Sequence, residues 1–178
     1  MQPGIDLRMR AMAKALAEVV MPAVDATNKT AIEQGHIVMG SLEIIRQQVE
    51  YAHWYAVADL LSLCKLASDL AGIDGLDADG KLRDAATTGE AMAKRWDIPL
   101  SQLSQPNSLL RDVISATVEK AFAIDKVDVR DKVQALVLAH SEEQLGRERA
   151  YVAGTRWDIY PETLQNIEGS LPKVSNEL

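Results

Sequence analysis

A proline-free stretch from Thr30 to Leu70 constrains this chain more than anything else in it. One apolar seam runs its whole length: Ala31, Val38, Leu42, Ile45, Val49, Ala52, Ala56, Leu60, Leu63, Ala67 and Leu70. From Leu42 onward the steps average about 3.5 residues, the period of a helix packed along a bundle or coiled-coil seam. As one helix it would span about 60 Å, where a compact globule of this length is roughly 40 Å across; a break at Gly40 or near His53 would instead let the segment fold back and hide its own seam in a monomer. The two halves differ. Opposite the seam, the first half carries Glu33, His36, Glu43, Arg46, Gln47 and Glu50, and the second carries Val57, Leu61 and Cys64. The second half is therefore expected to be buried on two faces and the first on one. Leu63 should be more deeply enclosed than Leu42, and the uncovered seam of the first half calls for a second copy of the chain.

The rest of the sequence reads as helical too. Prolines and glycines are few and clustered, phenylalanine occurs once, and no segment alternates with period two. A first helix is expected from about Asp6 to Met21 or Val24 through Ile5, Met9, Met12, Leu16 and Val19, ended or kinked at Pro22. After the turn cluster Gly72–Gly80, a third helix from Lys81 to Trp96 should point Leu82, Ala85, Gly89, Met92 and Trp96 inward. A loop is expected as far as Pro106 and Asn107, then a fourth helix to about Ile124. A fifth runs from Val129 toward Trp157, turning polar on most sides after Leu138. The fold class expected is all-α: an elongated bundle of four to six helices with one long central helix. It forms a single domain over residues 1–160, with a short helix and loose tail over 161–178.

Composition excludes several functions. The 178 residues are 47% hydrophobic and 25% charged, which is globular rather than disordered. A net charge of −7 and a pI near 5.0 argue against nucleic acid or an anionic membrane as partner. The single cysteine excludes a disulfide framework within one chain and a cysteine-rich zinc site. The N-terminus has no apolar signal region and no run is apolar enough to span a bilayer, so a cytoplasmic location is expected.

Few residues suggest chemistry. Glu33-x-x-His36 and Glu50-x-x-His53 each match the two-ligand unit of carboxylate-bridged di-iron bundles, but they lie 17 residues apart on the expected helix, about 25 Å along its axis. No metal or other cofactor is expected. His140 continues an apolar stripe. Paired with His53 and joined by Glu50 or Glu143, it would form a metal or acid/base site between the second and fifth helices. Asp74, Asp77 and Asp79 before Gly80 fail the calcium-loop spacing and read as helix caps. Cys64 reads as a core residue. Tyr51, Trp54 and Tyr55, gathered around His53, are core residues or the wall of an apolar ligand pocket. Arg95-Trp96-Asp97-Ile98-Pro99 is echoed by Arg156-Trp157-Asp158-Ile159-Tyr160-Pro161, as a recurring helix stop.

The segment Glu18-Val-Val-Met-Pro22-Ala-Val, followed by Gly35-His36-Ile-Val-Met-Gly-Ser-Leu-Glu-Ile-Ile-Arg-Gln, resembles an uncharacterised bacterial helical family. Its members are similar to accessory proteins found with acyl-CoA dehydrogenases and aminoglycoside-phosphotransferase-like kinases. The resemblance covers about a quarter of the chain and carries no catalytic residues. It implies an accessory or partner protein. The expectation is a non-enzymatic, self-associating helical interaction protein, a homo-oligomer with a possible further protein partner and a small apolar cavity. The alternative is an enzyme built on His53, His140, Glu50 and Glu143.

Overall fold

The computed structural model describes residues 4–155 and 158–171, and every regular element among them is helical. α1 is Ile5–Ala15, followed by a π-helical turn, Leu16–Val20, and the short α2, Met21–Ala23. Then come α3, Lys29–Gln48, α4, Ala52–Ala71, α5, Lys81–Ala93, α6, Leu100–Ala123, and α7, Val127–Tyr151. Short 3₁₀ turns follow at Ala153–Thr155, Pro161–Thr163 and Ile167–Ser170. Where a single domain was expected over 1–160, two compact units appear: residues 4–51 with 151–164, and 52–150 with 165–171.

The first unit is an antiparallel hairpin of α1 and α3. Arg46 Nη1 donates to Asp6 Oδ1 at 2.9 Å at one end, and the Met21 side chain lies against Gly35 at the other. The facing stripes are half-buried: Asp6, Met9, Ala13, Leu16, Met21 and Val24 against Ile32, Gly35, Met39, Leu42, Arg46 and Val49. Their steps are three and four residues, except for one of five between Leu16 and Met21. The π-helical turn accounts for it. Met21 N–H bonds to Leu16 O, which inserts one residue and keeps Met21 and Val24 on the packed face. Pro22, which has no N–H to give, follows at once. Asn28 Oδ1 caps α3 by accepting Ala31 N–H at 3.1 Å.

The long central helix is not continuous: the chain turns at residues 49–51. Tyr51 N–H bonds back to Gln48 O in a three-residue step, while Gln48 Nε2 donates to Tyr151 O at 3.1 Å. Neither glycine nor proline lies at the break. It falls where the burial changes from one face to two, so packing and not helix propensity sets it.

The second unit holds the core. α4 buries Val57, Ala58, Leu60, Leu63, Cys64, Leu66, Ala67, Leu70 and Ala71. Around them pack Leu82 and Ala86 of α5, Leu103 and Leu110 of α6, and Val129 and Val133 of α7. Gly89 lets α5 approach closely, since a Cβ there would stand 2.5 Å from Cys64 Sγ and 3.0 Å from Leu110 Cδ1. Gly75 and Gly80 turn the loop with positive φ. The buried Asp77 carboxylate accepts Leu82 N–H at 2.9 Å and Arg83 N–H at 3.4 Å, capping α5.

Three local expectations are corrected. Trp96 is 84% exposed, because α5 ends at Ala93 and Ile98 enters the core in its place. α6 starts at Leu100, not after Pro106. Leu103, Pro106 and Leu110 share one buried stripe, and that burial outweighs the roughly 3 kcal/mol penalty of an internal proline. α7 ends at Tyr151, and Trp157, to which it was extended, lies outside the described residues, as do 172–178.

Candidate functional site

The hairpin has one ionic flank and one apolar flank. On the ionic side Arg46 links Asp6 and Glu43, and Asp6 also pairs with Arg10 at 2.9 Å. Hydrogen bonds from Arg46 and then Gln47 hold the Glu43 carboxyl down at about 2. On the other side Ile5 and Met12 of α1 and Val19 of the π-helical turn follow one another at seven-residue steps, and Val38 and Ile45 do so along α3. At 100° per residue, each set lies beside its own helix's packed stripe. Because the two helices run antiparallel, both sets fall on the same flank. The 151–155 segment packs on the face of α3 turned away from α1, where Gly154 sits against the Gln47 side chain and Gln48 bonds Tyr151, and it leaves Val38 and Ile45 partly open. No residue of α1, α2 or α3 is buried, and Val38 and Ile45 are each 46% exposed. Ser41, between them, spends its hydroxyl on Ile37 O at 2.8 Å.

The residues singled out for chemistry are scattered. His140 is half-buried on α7, with Nδ1 3.2 Å from Ser62 Oγ on α4. Burial lowers its pKa, with Arg147 adding to the shift and Glu143 and Asp59 opposing it. Glu143, one turn on, accepts from Arg147 at 3.4 Å. His53 stands nine residues before Ser62 on the same helix, about 13.5 Å along the axis and half a turn around it. α4 therefore does not bring His53 to His140. His53 instead meets Trp54 edge-on at 5.9 Å. Glu50 is exposed in the 49–51 turn and belongs to the other unit, and Glu33 and His36 are exposed. Trp54 is exposed, while Tyr51 and Tyr55 are half-buried. Ser62 lies inside α4, where neighbouring N–H groups are spent on the helix and cannot serve an oxyanion.

Among the described residues no three His, Cys, Asp or Glu side chains are grouped to hold a metal ion. None of the described helices is long and apolar enough to cross a membrane. Cys64 is buried, and that burial pushes its thiol up to about 11, as befits a core cysteine.

Sequence reasoning missed one cluster. Arg147, expected on a polar face, is 5% exposed. Asp59, which interrupts the apolar run of α4, accepts from Asn107 Nδ2 at 2.5 Å and from Arg111 Nη2 at 3.0 Å. The charge inside an apolar run was the available signal; its partners are too distant in sequence to be read. No family model matches the chain, and neither a curated protein nor a solved structure does.

Proposed function

We infer that this chain is a non-enzymatic helical interaction protein that self-associates through the apolar flank of the α1/α3 hairpin. The observation that carries this is a stripe on each of two packed helices, open on one flank, in a unit whose helices bury no residue. Two such hairpins, face to face, form a four-helix bundle, which buries both seams with no new residue type. The flank is about 30 Å long and 20 Å wide, so two copies cover roughly 1,200 Å², the lower bound of stable interfaces. The resemblance of residues 18–24 and 35–47 to a helical family whose members are similar to accessory proteins supports an interaction role.

Two adjacent residues test it. Val38→Glu puts a charge into the flank and halves the mass in sedimentation equilibrium. Ile37→Glu, at a site 57% exposed on the far side of α3, leaves the mass unchanged. Equal behaviour of the two variants refutes the assignment.

A further inference from the structure

The two halves of α7 are held by different chemistry. The N-terminal half puts Val129 and Val133 into the core, with Leu136 and Val137 packed against it. Beyond Val137 the only buried apolar residue of α7 is the small Ala150, while Leu138 and Leu145 are exposed. What seats the second half on α4 is polar. His140 Nδ1 stands 3.2 Å from Ser62 Oγ, and the buried Arg147 lies toward Asp59, about one turn before Ser62. Arg147 is poorly held: its Nη2 is 4.0 Å from Asp59 Oδ1, beyond hydrogen-bonding reach, and Nε and Nη2 have no hydrogen-bond partner among the described residues. A buried guanidinium with unmet donors costs free energy, so it makes a weak anchor.

The charges around His140 are unbalanced. Arg147 and Glu143 act on it from α7 itself, Asp59 from α4 and Arg111 from α6. Lys65, one turn after Ser62, is paired with Asp69 at 2.8 Å, and Glu168 of the Ile167–Ser170 turn is exposed. The Glu143 side chain is 66% exposed, so solvent screens it, whereas that of Asp59 is only 13% exposed. Asp59 already accepts from Asn107 and Arg111. A proton on His140 therefore sets a third cation around a single enclosed carboxylate. The Ser62 bond does not oppose this, since a hydroxyl can donate to the neutral ring or accept from the charged one. We propose that residues 138–150 are an acid-released strap: protonation of His140 frees this half of α7 from α4 and opens the Ala58, Leu61 and Ser62 face, while Val129 and Val133 keep the first half seated. Burial, with Arg147 adding to it, lowers the pKa of the seated His140, and the freed ring takes its proton near the ordinary value of about 6.5. Seating is thus complete above that value and is lost as pH falls below it. The strap lies within the second unit and does not depend on self-association.

Amide hydrogen exchange of the full chain, corrected for the intrinsic pH dependence of exchange, tests this between about pH 7.5 and 5.5, above the ordinary carboxylate range. Protection over residues 141–150 should fall several-fold across that range, approaching the roughly tenfold that linkage to one proton allows. Protection over 129–137 should hold. His140→Gln still reaches Ser62 but cannot titrate, and it separates His140 from the other two histidines; its protection over 141–150 should be flat with pH. If that variant does not fold, the comparison of the two halves of α7 in the unaltered chain decides alone. The strap is overturned if 141–150 is equally protected at both ends of the range, if 129–137 loses protection in parallel, or if His140→Gln shows the same fall.

Discussion

α3 and α4 are each twenty residues long and continue one apolar seam, yet they end in opposite states. α4 buries nine residues and α3 buries none. The difference comes from the residues opposite the seam. In α4, Val57 and Cys64 give neighbouring helices a second face to pack on. In α3 the corresponding positions are Glu43, Arg46 and Gln47, which form an ionic flank. A seam is a necessary part of a core but not a core in itself. What lies across the helix decides whether the chain's own helices close over it or leave it open.

The sharpest way to break this comparison is to truncate the same residue type in each helix. Leu63 is 3% exposed, and Leu63→Ala should cost about 2–5 kcal/mol in denaturant melts, near the upper end because close packing limits collapse. Leu42 is only half-buried, and Leu42→Ala should cost about half as much or less. Equal losses would mean that the two faces of α4 do not make it the more enclosed helix.

A smaller effect tests the closeness of the core. Gly89→Ala must push aside Cys64 Sγ and Leu110 Cδ1, so it should destabilise by about 1–3 kcal/mol despite alanine's better helix propensity. Gly40→Ala in α3 meets nothing within 4 Å and should stabilise by about 0.5–1 kcal/mol. Opposite signs for the two glycines would confirm that only one of them holds a helix contact.

Titration separates the regions at opposite ends of the pH scale. Cys64 is neutral in the core, with its pKa raised from 9.0 to about 11. Its contribution is complete below pH 9 and falls as pH rises toward about 11, because the unfolded thiol ionises first. The loss should be on the order of 1–3 kcal/mol, and it should be absent in Cys64→Ala when stability is compared between pH 8 and 11. Glu43 shifts the other way, from 4.5 to about 2. Its contribution is present above pH 4.5 and lost as pH falls toward about 2. Half-exposed and screened by salt, it should be the smallest effect, seen as a slight loss of helicity in acid that Glu43→Gln does not show.

Much of this contrast was legible in the sequence, because periodicity reports burial directly. The two-faced half of the seam, the inward Leu82, Ala85 and Gly89, the cap before α5 and the core cysteine all follow from residue spacing. A break near His53 is one of the two alternatives the sequence offers, but nothing there selects it, since 49–51 carries no glycine or proline and its contact to Tyr151 comes from about a hundred residues away. Pro106 misled because its local penalty is plain in sequence while the tertiary burial that offsets it is not. His140 continues an apolar stripe that the sequence shows, but neither its partner Ser62 nor the burial of Arg147 is visible there. Those pairings are made across helices, where spacing along the chain is silent.

We propose that α3 is left open for a second copy, and mass decides that most directly. Light scattering of the unaltered chain across a micromolar concentration series should give twice 19.5 kDa or a larger even multiple, falling toward 19.5 kDa only on dilution. A mass of 19.5 kDa throughout the series would contradict it.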